Sequence, residues 1–281
     1  GIELLDEPLV ATISGGDRAV GESDAMTLNA CDASGDPDEP TAQCAGTACG
    51  SLTFTWACQV VQTAQQIADG AAVEECGSTV TGTTVTPPAT SSCEWLIPGD
   101  TLEPWRRYTF SVVVGKGDPP TEAASHAVDV TVNAGAMPSV EVATLAQAKQ
   151  NANVKLTLNG GVGLPQTCVR ITQDDGTVDI SCWDQIGGSL TQRWSTDVAG
   201  LDLTNLDLAS TGNDQVNLVI LPNILTPGGT YRFTLEAIYT PPPDTDGTQP
   251  EDQVSFSAVD VVMNTAPYGG TLVAECVVDS D

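Results

Sequence analysis

One nine-residue pattern occurs twice in this chain and constrains its fold more than any other feature. Leu102-Glu-Pro104-Trp-Arg-Arg-Tyr108-Thr-Phe110 and Leu225-Thr-Pro227-Gly-Gly-Thr-Tyr231-Arg-Phe233 both read L-x-P-x-x-x-Y-x-F. Each copy runs into an alternating segment. Tyr108, Phe110, Val112 and Val114 share one face, as do Tyr231, Phe233, Leu235 and Ala237, which is the period of a half-buried β-strand. A Pro-rich loop follows each (Asp118-Pro-Pro120; Pro241-Pro-Pro243), then a strand carrying Ala-Val-Asp-Val. Pro8, Pro138 and Pro267 open similar segments, spaced 130 and 129 residues apart. The organisation expected is two whole units, residues 1–134 and 135–265, with 266–281 as the first strand of a third, truncated domain.

Short Val-, Thr- and aromatic-rich runs punctuated by Gly, Pro and Asp predict an all-β fold, with one short helix within residues 62–72. The repeated spacing resembles the tyrosine corner of immunoglobulin-like and fibronectin-III-like sandwiches, in which the hydroxyls of Tyr108 and Tyr231 would bond back to the backbone. The plainer alternative is an ordinary turn before a strand. The fold class expected is therefore all-β, as tandem immunoglobulin/fibronectin-III-like β-sandwiches.

Charge narrows the partners. Nine Lys and Arg stand against 37 Asp and Glu, a net charge of −28. Such a surface is unsuited to nucleic acid, where phosphate contacts need cations, and to direct contact with anionic membrane. No segment approaches the length and apolarity of a membrane helix. The chain opens at Gly1 without a signal peptide and reads as a processed piece of a longer protein.

Nine cysteines with no C-x-x-C, and a lone histidine, exclude zinc-ribbon and thioredoxin-like spacings and point to disulfides in an oxidising, extracellular compartment. Cys168 is expected to pair with Cys182 across a hairpin turning at Asp174-Asp175-Gly176. The six cysteines of the first unit are expected in three internal bridges, Cys58 joining Cys93 or Cys76. Cys276 is left over, its partner expected beyond Asp281.

In the first unit a strand ending at Cys31 leads into Asp32-Ala-Ser-Gly-Asp36-Pro37-Asp38, then a Cys-bearing loop, then Leu52-Thr-Phe-Thr-Trp56-Ala-Cys58. The pattern D-x-S-x-D-P-D followed by L-x-F-x-W-x-C resembles the polycystic-kidney-disease-type repeat. It is still more similar to the receptor-for-egg-jelly region of polycystin-like proteins. The tail Asn264-Thr-Ala-Pro267-Tyr-Gly-Gly270-Thr-Leu-Val273 is similar to that region's exit into its next domain, departing where Val273 follows Leu272 directly. The resemblance implies a non-catalytic, multi-domain extracellular glycoprotein at a cell or ciliary surface. The partners it implies are neighbouring domains of the same polypeptide, further copies, or other surface glycoproteins.

Candidate sites are few. A Ser-His-Asp relay could use only His126, which reads as a solvent-facing strand residue with no G-x-S-x-G nearby. Asp32, Asp36 and Asp38 could hold calcium, the one cofactor considered, or could cap their own turn. Trp95, Trp105, Trp183 and Trp194 could stack on glycans or pack in the core, and Trp56 reads as core. The function expected is a structural and adhesive segment of a surface or filament protein, a ciliary or flagellar coat or hair among the settings. The alternative is a carbohydrate-binding accessory region of a secreted enzyme.

Overall fold

The computed structural model describes residues 7–31, 34–38, 49–68, 72, 74, 76–78, 83–117, 120–145, 147, 149–172 and 178–265. In chain order its strands are β1 (Arg18–Gly21), β2 (Met26–Asn29), β3 (Leu52–Val60), β4 (Gly77–Ser78), β5 (Thr83–Thr84), β6 (Glu94–Ile97), β7 (Arg106–Lys116) and β8 (Glu122–Asn133). There follow β9 (Ser139–Val142), β10 (Leu156–Leu158), β11 (Gly160–Gly163), β12 (Gln166–Thr172), β13 (Val178–Asp184), β14 (Ser189–Thr196), β15 (Leu218–Ile220), β16 (Thr230–Thr240) and β17 (Gln253–Val262). One five-residue helix, α1 (Ala64–Ala68), lies between β3 and β4. Among the described residues the fold is all-β apart from that helix, built as two β-sandwiches, each around its own hydrophobic core.

In the first sandwich the inward residues of β7 (Tyr108, Phe110, Val112, Val114) are completely buried. They pack with Phe54 and Trp56 of β3 and with Val128, Val130 and Val132 of β8. The facing layer is the β2–β6 pair, registered Met26 to Ile97 through Asn29 to Glu94. Trp95 of β6 spans the layers, edge-on to Phe110 at 5.4 Å and to Trp56 at 5.9 Å. A buried aromatic of this size contributes about 2–3 kcal/mol by removal from water. In the second sandwich Trp194, Phe233, Leu235 and Val261 of β14, β16 and β17 pack against Val142, Leu156, Leu158, Leu218 and Ile220 of β9, β10 and β15.

Two disulfides have both ends described. Cys31–Cys93 closes the end of the β2–β6 ladder, where Ala30 N–H donates to the Cys93 carbonyl at 2.9 Å and the α-carbons stand 5.1 Å apart. Cys58 is bonded to Cys76. Of the two partners expected for Cys58 the structure takes Cys76, while the other candidate, Cys93, is bonded to Cys31 instead. The reason is that the insertion after β3 returns beside it, Val60 N–H donating to the Glu74 carbonyl at 3.2 Å, so Cys76 arrives first. Cys49 is also disulfide-bonded. In the second unit Cys182 is disulfide-bonded, and the residue opposite it in the β12–β13 register is Cys168. Cys44, the hairpin turn at Asp174 to Gly176, and Cys276 with all of 266–281 lie outside the described residues.

Candidate functional site

The sheets of the two sandwiches are continuous. Their strand order is β14-β16-β17-β1-β8-β7-β3, with β1 as the shared element. β1 runs parallel to β8 over four pairs, Arg18 to Val130 through Gly21 to Asn133, and antiparallel to β17 at Arg18 and Ser257.

The join to β17 is made mostly by side chains. Ala258 N–H donates to the Asp17 carbonyl at 2.8 Å. The hydroxyls of Ser255 and Ser257, both completely buried, donate to the carbonyls of Ala19 (2.6 Å) and Gly15 (2.7 Å). The Asn133 amide donates to the Val254 carbonyl at 3.3 Å. Asp17 ties both sides together: one carboxylate oxygen accepts the Asp129 N–H of β8 at 2.7 Å, and the other pairs with the Arg232 guanidinium of β16. Arg232 also stands 3.6 Å from Asp260. Partial burial opposes its charge, yet the bond to Asp17 and the surrounding carboxylates raise its pKa overall.

The loop before β1 approaches β17 so closely that only glycine fits. Gly16 has φ 53°, and a Cβ there would lie 1.9 Å from the Ala258 carbonyl oxygen. Arg18 folds back onto this loop, donating to the carbonyls of Ser14 and Gly16, and burial lowers its pKa.

His126 faces this junction rather than solvent, which corrects the sequence expectation. Its Nδ1 accepts the Ile13 N–H at 3.1 Å, so the neutral ring carries its proton on Nε2. Burial lowers its pKa, against the opposing pull of Asp260 and Asp17. The cleft between His126, Asp17, Arg232 and Asp260 holds about 90 Å³, against the several hundred of a small-molecule site.

The other residues singled out by sequence are dispersed. Asp36 is buried and its carboxylate is engaged by the Lys116 ammonium (2.5 Å) and by the Asp38 N–H (3.0 Å). Asp38 accepts the Glu7 N–H at 2.5 Å, and Asp32 lies outside the described residues. The Tyr108 hydroxyl accepts the Glu103 N–H at 2.9 Å, and the Tyr231 hydroxyl accepts the Thr226 N–H at 2.7 Å. Trp56, Trp95 and Trp194 are buried, whereas Trp105 and Trp183 are exposed. The sulfurs of Cys31, Cys49 and Cys93 cluster within 4.8 Å, but as disulfide sulfurs they offer no thiolate to a metal.

Sequence reasoning missed the junction altogether. A signal was present: Ser255 and Ser257 share the inward register of β17 with Val259 and Val261, where hydroxyls have no business unless something bonds them.

Against the family models, residues 3–279 match the REJ domain. The chain belongs to the REJ domain family. No curated protein matches it in sequence. Solved structures similar to this REJ domain include three N-terminal domains of the outer capsid protein Hoc of bacteriophage RB49, at 14% identity and a TM-score of 0.26. That match covers 91% of this chain and 59% of the three-domain Hoc chain. Others are the insect immune protein hemolin, at 13% and 0.24 over 92% of this chain and 47% of hemolin, and the FN1–FN3 domains of chicken CNTN1, at 10% and 0.26 over 92% and 69%. The chain spans about half of the first of these, and no helix among the described residues is long and apolar enough to cross a membrane.

Proposed function

We propose that this REJ domain is a non-catalytic extracellular module that works as a stiff two-sandwich strut in a longer surface protein, with a ciliary or flagellar coat or filament as its setting and adhesion or linkage as its task. The observation that carries the reading is the shared strand. β1 belongs to the ladder of the first sandwich and continues into the sheet of the second, so bending between units must break buried hydrogen bonds. A flexible linker would suit a tether; a continuous sheet suits a spacer that holds what lies at its two ends at fixed distance and orientation. The scarcity of cations and the disulfides fit an oxidising exterior, and partners there would be adjoining domains or other surface glycoproteins.

The test is whether the units tumble together. NMR relaxation on the wild-type chain should give one correlation time for both cores. Gly16→Val, which drives a side chain into the Ala258 carbonyl without touching either core, should split it into two while each sandwich keeps its dispersed spectrum. Independent tumbling in the wild type overturns the strut. Antibody labelling of intact cells tests the location separately.

A further inference from the structure

We propose that Trp105 is a docking contact for a neutral saccharide. The observation is a strained backbone carrying an exposed aromatic where the fold asks for neither. Trp105 occupies the left-handed region at φ 63°. The repeat places Gly228 at the same position, with φ 76°. The local architecture therefore needs a left-handed residue, and glycine supplies it without a steric cost. The backbone duty is also the same in both copies. Trp105 N–H donates to the Val132 carbonyl at 2.7 Å, and Gly228 N–H donates to the Asn264 carbonyl at 3.1 Å, each at the end of its unit's last strand.

The indole is thus not required by the corner, and it does not recover its strain by packing. It is 78% exposed, whereas Trp56, Trp95 and Trp194 are each below 5%. Backbone strain combined with an exposed large ring at the tip of a turn is the arrangement expected where the ring serves something outside the chain.

The surroundings choose the ligand class. The groups flanking the ring in the chain are already paired: Arg106 bridges Glu103 and Glu74, both at 2.6 Å, and Arg107 meets Asp129 at 2.9 Å. These pairs supply fixed donors and acceptors with little local net charge, which suits hydroxyls rather than an ionic group. The chain's net charge of −28 repels sulfated or uronic polymers. A pyranose matches an isolated ring, with one apolar face to stack and a rim of hydroxyls for the flanking ion pairs.

Indole N–H resonances of the ¹⁵N-labelled chain read the contact directly, because only five tryptophans contribute. The Trp105 signal is the one lost in Trp105→Gly. Neutral hexaoses of glucose, mannose, xylose and galactose units, titrated into the millimolar range, should move that signal saturably for at least one of them. Trp105→Gly and Trp105→Asn should abolish detectable binding of that sugar while leaving the thermal midpoint level or raised, since both residues tolerate the left-handed backbone. Failure of every neutral hexaose to move the signal overturns the proposal. So does a shift produced only by heparin or alginate fragments, or one produced by raising protein concentration without sugar, which would assign the ring to a second copy. A clear fall in the thermal midpoint of both variants would make Trp105 a packing residue instead. None of these outcomes bears on whether the two sandwiches tumble together.

Discussion

The two sandwiches share a corner motif and a final-strand sequence, yet they finish their last strands differently. In the first, the last four residues of β8, Val130 to Asn133, are paired on the outer edge by the parallel strand β1. In the second, the matching contribution from its own unit shrinks to an isolated bridge, Gln150 with Met263 just past the end of β17. Further along the same edge β1 of the first unit pairs at Arg18 and Ser257, and the Ser255 and Ser257 hydroxyls bond its side of the join. Unit one also carries the disulfides Cys31–Cys93, at the end of the β2–β6 ladder, and Cys58–Cys76, between β3 and the insertion that follows it, whereas a disulfide of unit two is borne by Cys182 on the separate β12–β13 ribbon. The asymmetry teaches that unit one is self-contained and unit two leans on it. An unprotected strand edge is a liability that folds cover, and here the cover comes from the neighbouring unit.

The sharpest way to break this comparison is to remove the staple of unit one. Cys31→Ser with Cys93→Ser opens a loop of sequence separation 62, and chain entropy puts the loss at about 4 kcal/mol. The expected outcome is an early urea transition in unit one that carries part of unit two with it, because β17 loses its cover. Removing the Cys182 disulfide should leave unit one's transition in place. Indole resonances of Trp95 and Trp194 follow the two cores separately, and a unit two indifferent to the loss of unit one would end the dependence argued here.

A smaller perturbation acts on the join alone. Ser255→Ala with Ser257→Ala removes two buried hydroxyl donors and leaves the carbonyls of Ala19 and Gly15 without them. The expected loss is about 1–3 kcal/mol for each. Hydrogen exchange at the Ala258 amide should accelerate, while the amides of the β7–β8 ladder, which belong to unit one alone, should hold their protection. The Asp17–Arg232 pair is a third exposed on both sides, so Asp17→Asn, which keeps an acceptor oxygen for the Asp129 N–H and loses only the charge, should cost little, and Asp17→Ala, which loses both, should cost more.

Much of the fold was legible before any coordinates. Alternation over Tyr108 to Val114 and over Tyr231 to Ala237 is a local property, and burial on one face follows from it at once. The D-x-S-x-D-P-D and L-x-F-x-W-x-C segments carried the family resemblance for the same reason, being contiguous. The junction was not legible, because Asp17, Ser257 and Arg232 are each unremarkable and lie more than two hundred residues apart across the join. His126 was misread for a related reason. Its partner, the Ile13 N–H, comes from a loop 113 residues away.

That histidine makes the join sensitive to pH. Its folded pKa lies below the ordinary 6.5, first because of burial, with Asp260 and Asp17 opposing. The unfolded chain therefore takes up the proton first as pH falls through 6.5. Stability is full above that value and declines as pH drops toward the folded pKa, since the Nδ1 that accepts Ile13 N–H must keep its lone pair. Urea midpoints between pH 8 and pH 5 check this, and His126→Asn should flatten the part of the slope that belongs to the join.

The smallest expected effect separates backbone from side chain at the corner. Gly228 has φ 76°, and a Cβ there would stand 3.1 Å from the Thr265 methyl, tight but movable. Gly228→Ala should therefore cost about 1 kcal/mol, the left-handed penalty partly offset by the lower entropy of the unfolded chain. Unit one already carries that penalty at Trp105, at the same place in the repeat and at φ 63°. The reverse change, Trp105→Gly, should then leave stability level or slightly higher, even though it deletes the largest side chain in the sequence. A pair of opposite signs in differential scanning calorimetry would establish that the corner's geometry is common to both units and that the indole is an addition to it. Equal losses from both substitutions would mean that the indole packs on its own unit, and the two corners would then differ in structure as well as in sequence.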